Sequence, residues 1–176
     1  ADAVVAFDTE TNSLDTKIAK TVGFSFAYNT DEAYYVPLAH SYLGVGEQIS
    51  CEEAKKWLNT LFERKIVGHN LKFDIGVVWD MLDECNRHIH ADTMILCWMF
   101  APDMAVSLDA NAKRMFGHEM IKYKETVKTG DDFSAVSIEE ATKYAGEDAL
   151  YTLKIYNELY PKLQSKETKI FEDFRD

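Results

Sequence analysis

The sequence has no apolar run of the roughly 18 residues that a membrane-spanning helix requires. Its amino end also lacks the basic and then apolar pattern of a secretory signal, so we expect a cytoplasmic protein with no membrane partner. Cysteine is scarce: Cys51, Cys85 and Cys97 form no C-x-x-C pair. This usage is typical of reduced thiols in the cytosol, and it predicts packing roles for the three side chains.

Positive charge is scarce as well. The chain has 19 Lys and Arg against 30 Asp and Glu, which gives a net charge of −11. A surplus of negative charge argues against long-range attraction to nucleic acid, because the phosphate backbone is itself negative. Any nucleic-acid role must therefore be local or assisted by metal ions.

The 176 residues, 47% of them hydrophobic, suit one globular domain that folds without disulfides. The chain begins with Ala1 instead of Met, and its last residues, through Phe174, still have a helical pattern. We therefore expect residues 1–176 to be a single domain excised from a longer chain.

Hydrophobic periodicity predicts an α/β fold, in which helices flank a mixed sheet made of an antiparallel meander and parallel strands. The predicted strands are 3–7, 21–28, 33–38, 65–69 and 87–90. The predicted helices are 50–64, 70–79, 92–100, 107–116 and 137–159, the last with a kink or restart near Gly146 and with Pro161 beyond its end. Residues 118–136 form the least regular segment, and such long loops are often functional.

Two acids follow the first predicted strand. Asp8 and Glu10 are two residues apart, so in an extended strand they point to the same face, with Thr9 opposite. Two like charges held together favour a bound cation. The alternative is a strand that simply ends in a solvated turn.

Two further patterns carry acids on helices. Asp74 lies in the first turns of a helix that Asn70 is expected to cap, where an acid also suits the helix dipole. Tyr144 and Asp148 are four residues apart and so share one face of the last helix. The alternative for this pair is a surface acid and a tyrosine at the margin of the core.

In chain order these patterns are D-x-E, N-x-x-x-D and Y-x-x-x-D. In that order and spacing the chain resembles the 3′→5′ exonucleases of the DEDD superfamily, in the subclass whose last motif carries Tyr. It is most similar to the proofreading domains of bacterial family A DNA polymerases. The resemblance extends over nearly the whole chain, through residues 7–15, 35–40, 68–74, 91–94 and 144–149.

The resemblance implies an RNase H-like fold and hydrolysis of the terminal phosphodiester with two divalent cations, Mg²⁺ or Mn²⁺. Asp8, Glu10 and Asp148 would hold one ion, and Asp8 would bridge to a second ion near Asp74. Tyr144 would orient the attacking water. Hard oxygen ligands suit these ions, and carboxylates that converge without metal should have raised pKa values. The implied partners are the 3′ end of DNA and a fused polymerase domain.

The resemblance also implies three substrate contacts. Leu14 would be an apolar wedge beside the terminal base, Phe133 an aromatic contact in the polar loop, and Asn70 a contact to the terminal nucleotide. The plain alternatives are core packing, loop packing and helix capping, respectively. The chain departs from the family pattern at His69, where many relatives have Gln, and at Phe73, where Tyr is common. These departures bear on how the substrate is gripped.

Other candidate residues carry weaker signals. The segment Cys85–His90 has soft ligands but no second ligand pair at the usual spacing, so we expect no zinc site there. We expect His40 to be structural, His118 to be a solvated surface residue, and Asp92 to be a helix cap instead of a fifth acid.

Two alternative functions stay open at this point. One is an exoribonuclease of the same superfamily, since nothing in the sequence must read or exclude a 2′-hydroxyl. The other is a domain that has lost catalysis and serves as a structural or strand-holding module. The second alternative predicts the loss of a ligand, whereas all four acids and the tyrosine are present.

Overall fold

The computed structural model describes residues 3–15 and 18–173, and for residues 165–173 it describes the backbone alone. Five strands form one sheet in the order β3-β2-β1-β4-β5. The β1–β2 and β2–β3 pairs are antiparallel, whereas β1–β4 and β4–β5 are parallel. The predicted mixed sheet is therefore confirmed. The strands are β1 (Val4–Thr11), β2 (Thr21–Ala27), β3 (Tyr34–Pro37), β4 (Lys65–Gly68) and β5 (Ala91–Asp92).

Helices cover both faces of the sheet. One apolar core lies between the sheet and the first two helices, and a second lies between the sheet and the third and last helices. The helices are α1 (Cys51–Phe62), α2 (Leu71–Val78), α3 (Thr93–Phe100), α4 (Leu108–Phe116), α5 (Tyr123–Thr126) and α6 (Ile138–Asp173). None of the helices in the described part of the chain has the length and apolar composition needed to cross a bilayer.

Strand β1 is the central strand, and its side chains alternate between the two cores. Phe7 points toward α1, where its ring centroid lies 5.0 Å from that of Phe62, whereas Ala6 belongs to the core beside α6. The strand continues past the predicted end at Phe7 and pairs with β2 through Glu10. Because residues two apart share a face, Asp8 and Glu10 point to the side of Ala6. The solvated-turn alternative for the two acids is therefore wrong.

Helix α1 begins with a capping box, which is a local sequence signal for a helix start. The Ser50 hydroxyl accepts a hydrogen bond from the Glu53 amide, and the Glu53 carboxylate accepts one from the Ser50 amide. At the start of α6 the Ser137 hydroxyl likewise accepts a hydrogen bond from the Glu140 amide. Local sequence signals thus set both helix starts.

The start of α2 differs from the prediction. Asn70 adopts a left-handed conformation with φ of 64°, and its side chain makes no capping hydrogen bond. Instead the Asp92 carboxylate accepts hydrogen bonds from the amides of Asn70 (3.0 Å) and Leu71 (2.9 Å), and also from Met94 (2.9 Å) at the start of α3. The predicted cap at Asp92 is confirmed, and the same carboxylate caps two helices.

Helix α6 also differs. The predicted restart near Gly146 and the end near Leu159 are wrong, because the helix is continuous and contains Pro161. Proline removes one backbone hydrogen bond, but Leu159 and Leu163 on either side of it are buried, and tertiary packing outweighs the local preference. Phe174, which the helical pattern included, lies outside the described residues.

Two smaller differences concern the middle of the chain. The strand predicted at 87–90 lies at Ala91–Asp92. The irregular segment 118–136 contains the short helix α5 and a 3₁₀ turn at Phe133–Ala135. That segment lies beside the first turns of α6 and is therefore ordered by contacts that periodicity does not reveal.

Removing the Asp92 carboxylate should destabilise the domain. We expect Asp92→Ala to lower the free energy of unfolding by about 1–2 kcal/mol, because amides of both α2 and α3 lose their acceptor. Urea unfolding followed by circular dichroism measures this change. Ser107→Ala is the matched control, since Ser107 precedes α4 without a side-chain capping bond to the backbone. Equal losses in the two variants would contradict the double-cap interpretation.

Candidate active site

Three carboxylates converge where α6 crosses the sheet. One oxygen each of Asp8, Glu10 and Asp148 lies within 4.8 Å of the other two. Glu10 is buried, and the other two acids are partly buried. Within the described ranges this is the only group of three or more His, Cys, Asp or Glu side chains with such geometry. The structure thus brings together two residues from the start of the chain and one from its last helix.

Asp74 approaches the same place from α2 and is 3% exposed. Its Oδ1 accepts two hydrogen bonds from Thr9, one from the backbone amide (2.9 Å) and one from the hydroxyl (2.6 Å). These bonds fix the orientation of the carboxylate. Thr9 lies between Asp8 and Glu10 but points to the opposite face, so one strand segment both carries two of the acids and orients a third, Asp74. The sequence analysis missed this role of Thr9, although its position between the two acids was a usable signal.

The four carboxylates raise one another's pKa values. Burial raises the pKa of Asp8, and the charge of Asp148 adds to the effect. Burial likewise raises the pKa of Glu10 and of Asp74, and in both cases Asp8 adds to it. The pKa of Asp148 rises to about 8, mainly through burial and then through the charge of Glu147. Each acid is therefore destabilised in its charged form.

In the part of the chain that the structure describes, no Lys or Arg forms an ion pair with any of the four carboxylates. Because oxygen-only ligand sets suit hard cations, the residues present fit Mg²⁺ or Mn²⁺. Binding such ions would remove the repulsion that raises the pKa values.

Tyr144 lies one helical turn before Asp148, and the interaction of its hydroxyl with that carboxylate partly opposes the rise in the pKa of Asp148. Burial, followed by the charges of Asp148 and Glu10, raises the pKa of Tyr144. The phenol therefore stays protonated at neutral pH. Its ring packs against Phe133 at a centroid distance of 5.8 Å and meets Tyr123 edge-on at 6.3 Å. These contacts hold the hydroxyl at the acid cluster, so the surface-acid alternative for Asp148 is wrong.

A cleft of about 420 Å³ opens over the four acids and Tyr144. Leu14 lines it and is 91% exposed, so the core-packing alternative for this residue is wrong. Asn70 also lines the cleft, and its side chain is exposed. The two departures from the family pattern, His69 and Phe73, line it too and are partly buried. Substrate contact by Leu14 and Asn70 stays a prediction, and their positions allow it.

The prediction for Phe133 needs correction. Its side chain is fully buried among Val127, Val136 and Ala141, and it does not line the cleft. Tyr123 does line the cleft and is 48% exposed. Of these two aromatic side chains, Tyr123 is therefore the one that faces the cleft, while Phe133 packs behind it. Sequence reasoning missed Tyr123 because it lies in an irregular segment, where periodicity does not indicate which aromatic side chain is buried.

Two histidines outside the acid cluster, His40 and His118, can be compared with their predicted roles. His40 is buried, with Nδ1 2.8 Å from the Val136 carbonyl and Nε2 2.7 Å from the Tyr35 hydroxyl, which confirms its structural role. His118 is not simply solvated, because its Nε2 lies 2.7 Å from Glu147 Oε1. Its ring also stacks on Tyr151 at a centroid distance of 4.3 Å. The prediction of a free surface histidine was wrong.

The segment Cys85–His90 forms no metal site among the described residues. The Cys85 side chain is exposed. His88 Nε2 lies near the carbonyl of Arg64, and His90 Nε2 lies 3.0 Å from the Tyr156 hydroxyl.

Comparison with known sequences gives a family. Residues 1–164 match the family described as 3′-5′ exonuclease. The chain is 36% identical over 170 residues to DNA polymerase I of Pseudomonas aeruginosa, covering 92% of this chain and 19% of the relative. It is 34% identical over 171 residues to DNA polymerase I of Borreliella burgdorferi, covering 94% and 18% respectively. The chain thus spans about a fifth of the length of these relatives.

Comparison with solved structures supports the fold. Brucella melitensis NrnC superimposes with a TM-score of 0.70 at 17% identity, covering 94% of this chain and 75% of that one. Escherichia coli RNase D, described as an exoribonuclease involved in structured RNA processing, gives a TM-score of 0.63 at 17% identity, covering 93% and 40%. The RNase H-like fold that the resemblance implied is confirmed.

The raised pKa values predict how stability depends on pH without metal. A folded-state pKa above the unfolded value means that the folded protein binds the extra proton, so stability falls as pH rises from about 4 toward the folded pKa. For Asp148 that fall ends near pH 8. We expect the metal-free domain to unfold at lower temperature at pH 8.5 than at pH 7, and Mg²⁺ to restore more stability at the higher pH.

Thermal unfolding in chelator, and then in Mg²⁺, measures this dependence. Asp148→Asn is the control, because an amide of similar shape cannot titrate and should flatten the curve. A metal-free domain that is equally stable at both pH values would contradict the interpretation of the acid cluster.

Proposed function

This chain belongs to the 3′-5′ exonuclease family, and from that membership we propose that it hydrolyses the terminal phosphodiester at the 3′ end of single-stranded or frayed DNA. The products would be nucleoside 5′-monophosphates. The observation that carries the proposal is the convergence of Asp8, Glu10 and Asp148 within 4.8 Å in an open cleft. Because its relatives are DNA polymerase I chains about five times longer, proofreading for a fused polymerase domain is part of the proposal.

The positions of the four acids support a ligand assignment. Asp8, Glu10 and Asp148 would hold one divalent ion, and Asp8 together with Asp74 would hold a second. Mg²⁺ and Mn²⁺ are the candidates, because all the ligand atoms are carboxylate oxygens. When bound, such ions would supply Lewis-acid activation of water and would neutralise charge on the entering and leaving oxygens.

Tyr144 would orient the attacking water. Its phenol is protonated at neutral pH, so it can donate a hydrogen bond or accept one without changing its charge. Packing against Phe133 and Tyr123 restricts the ring and so places the hydroxyl beside Asp148. Thr9 would keep Asp74 in the orientation that faces the second ion. No covalent nucleophile is needed.

Bases of the strand would be held by apolar and aromatic contact. Leu14 and Tyr123 line the same cleft and expose their side chains, so both can contact the faces of the terminal bases. The exposed amide of Asn70 would hydrogen-bond to the terminal nucleotide. The open cleft and the complete set of acids favour an active enzyme over a strand-holding module without catalysis.

Loss of Asp8 should abolish cleavage. We expect Asp8→Ala to slow shortening of a 5′-labelled single-stranded DNA by roughly a thousandfold, since it removes several kcal/mol of charge stabilisation. Chelator should have the same effect on the unaltered protein. Gel analysis of time courses in Mg²⁺ and Mn²⁺ measures both. Asp80→Ala, at an exposed acid outside the cleft, is the control.

Two results would count against this proposal. Shortening from the 3′ end that survives chelator or Asp8→Ala would rule out the metal-dependent mechanism. Faster cleavage of an RNA of the same sequence would instead identify an exoribonuclease.

Tyr144→Phe separates water positioning from metal binding. We expect cleavage to slow by roughly 10- to 100-fold, as for the loss of one hydrogen bond to a charged group, while Mn²⁺ affinity stays within about twofold. Single-turnover kinetics and calorimetric titration measure the two quantities. Tyr123→Phe, which removes a hydroxyl from the same cleft, should cleave at nearly the normal rate. Equal rates for the Tyr144 variant and the unaltered protein would remove Tyr144 from the proposed role.

A further inference from the structure

A second pocket, of about 480 Å³, adjoins the cleft and shares Tyr123, Tyr144 and Asp148 with it. Lys122 and Lys124 line this pocket. We propose that these two lysines bind the next phosphodiester of the substrate strand, the one on the 5′ side of the bond that is cleaved. The inference rests on the proposed exonuclease function and adds to it the path of the strand.

The distribution of charge favours this path. The cleft is lined by six acids and, within the described part of the chain, by no Lys or Arg. Two of those acids, Asp131 and Asp132, take no part in the carboxylate cluster. A nucleic-acid strand that left the cleft on their side would pass these two carboxylates. A phosphate there meets repulsion, whereas a phosphate in the second pocket meets two ammonium groups.

Acids near the lysines offset part of the positive charge of the lysines. Asp109 also lines the second pocket. Hydrogen bonds from Ser107 and Ala110 lower the pKa of Asp109, and the charge of Lys122 adds to this effect. Lys113 lowers the pKa of Glu119, and Lys122 again adds to the effect. The Asp109 carboxylate already accepts hydrogen bonds from the Ser107 hydroxyl and the Ala110 amide. Lys124 lies one residue beyond Tyr123 and is exposed.

The lysines lie on a segment that is fastened to α6. Glu147 holds it with both carboxylate oxygens: Oε1 lies 2.7 Å from His118 Nε2, and Oε2 accepts a hydrogen bond of 2.7 Å from the Ile121 amide. Glu147 directly precedes Asp148. The backbone that carries the lysines is therefore tied to the helix turn of a proposed metal ligand, as a site for the neighbouring phosphate requires.

The rest of the pocket suits a nucleotide. Leu108, Met120 and Ile121 give it an apolar surface beside the lysines. Single strands are commonly held by cationic side chains on the backbone and by apolar or aromatic side chains on the bases. The ligand is thus a nucleotide of any sequence, and its binding should weaken with salt.

Substrate length provides a direct test. A dinucleotide without terminal phosphates contains only the bond that is cleaved, whereas a trinucleotide contains one further phosphodiester. We expect Lys122→Ala/Lys124→Ala to lower kcat/KM for the trinucleotide roughly tenfold, as for two exposed ion pairs, and to leave the dinucleotide within about twofold. Lys122→Arg/Lys124→Arg should keep most of the trinucleotide activity.

Lys55→Ala/Lys56→Ala is the matched control, because it removes the same charge from exposed positions on α1. A second measurement needs no cleavage: fluorescence anisotropy of labelled oligothymidine in Ca²⁺ at several salt concentrations. The logarithmic salt slope should fall by roughly 0.7 in the Lys122/Lys124 variant for each phosphate that the lysines no longer neutralise.

Equal losses for dinucleotide and trinucleotide, or an equal loss in the α1 control, would overturn the assignment of the lysines. If the unaltered protein cleaves neither substrate, the proposed exonuclease function fails. In that event the salt slopes still decide the question, because an unchanged slope in the Lys122/Lys124 variant would overturn phosphate binding independently.

Discussion

The structure depends on holding several negative charges together in a partly buried place. Asp8 and Glu10 are carried by the central strand, and α6 and α2 bring Asp148 and Asp74 to them from opposite sides of the sheet. Like charges at this spacing repel, and burial adds to the cost. The surrounding fold must supply the free energy that opposes this repulsion. The apolar cores on the two faces of β1 meet that requirement.

Local patterns predicted much of this arrangement. Alternation placed both acids of β1 on one face, capping boxes set the starts of α1 and α6, and the order of three short motifs indicated the family. The predicted combination of an antiparallel meander with parallel strands is present in the sheet, where β1 pairs in parallel with β4. The ion-binding role of the acids stays a prediction, although their convergence is what such a role requires.

Contacts between distant residues could not be predicted in the same way. Thr9 holds Asp74 across 65 positions, and Asp92 caps a helix that begins 21 positions before it. His118 contacts Glu147 on α6, and nothing in the sequence around His118 indicates that contact. Phe133 and Tyr123 are both aromatic residues in a polar loop, and only packing decides which is buried. Periodicity reports which face of an element is apolar, and it carries no information about which side chains meet.

The alternation along β1 has a consequence for how the chain reaches its native state. A shift of one residue in the pairing of β1 with β2 would turn Asp8 and Glu10 toward the phenyl rings of Phe24 and Phe62. The same shift would turn Phe7 toward the core beside α6, at the side where the small Ala6 now packs. Such a misaligned strand buries two carboxylates among aromatic rings and forms neither core. The misaligned pairing would therefore be unstable relative to the native one. The same pairing that forms the sheet thus also fixes the face on which the two carboxylates lie.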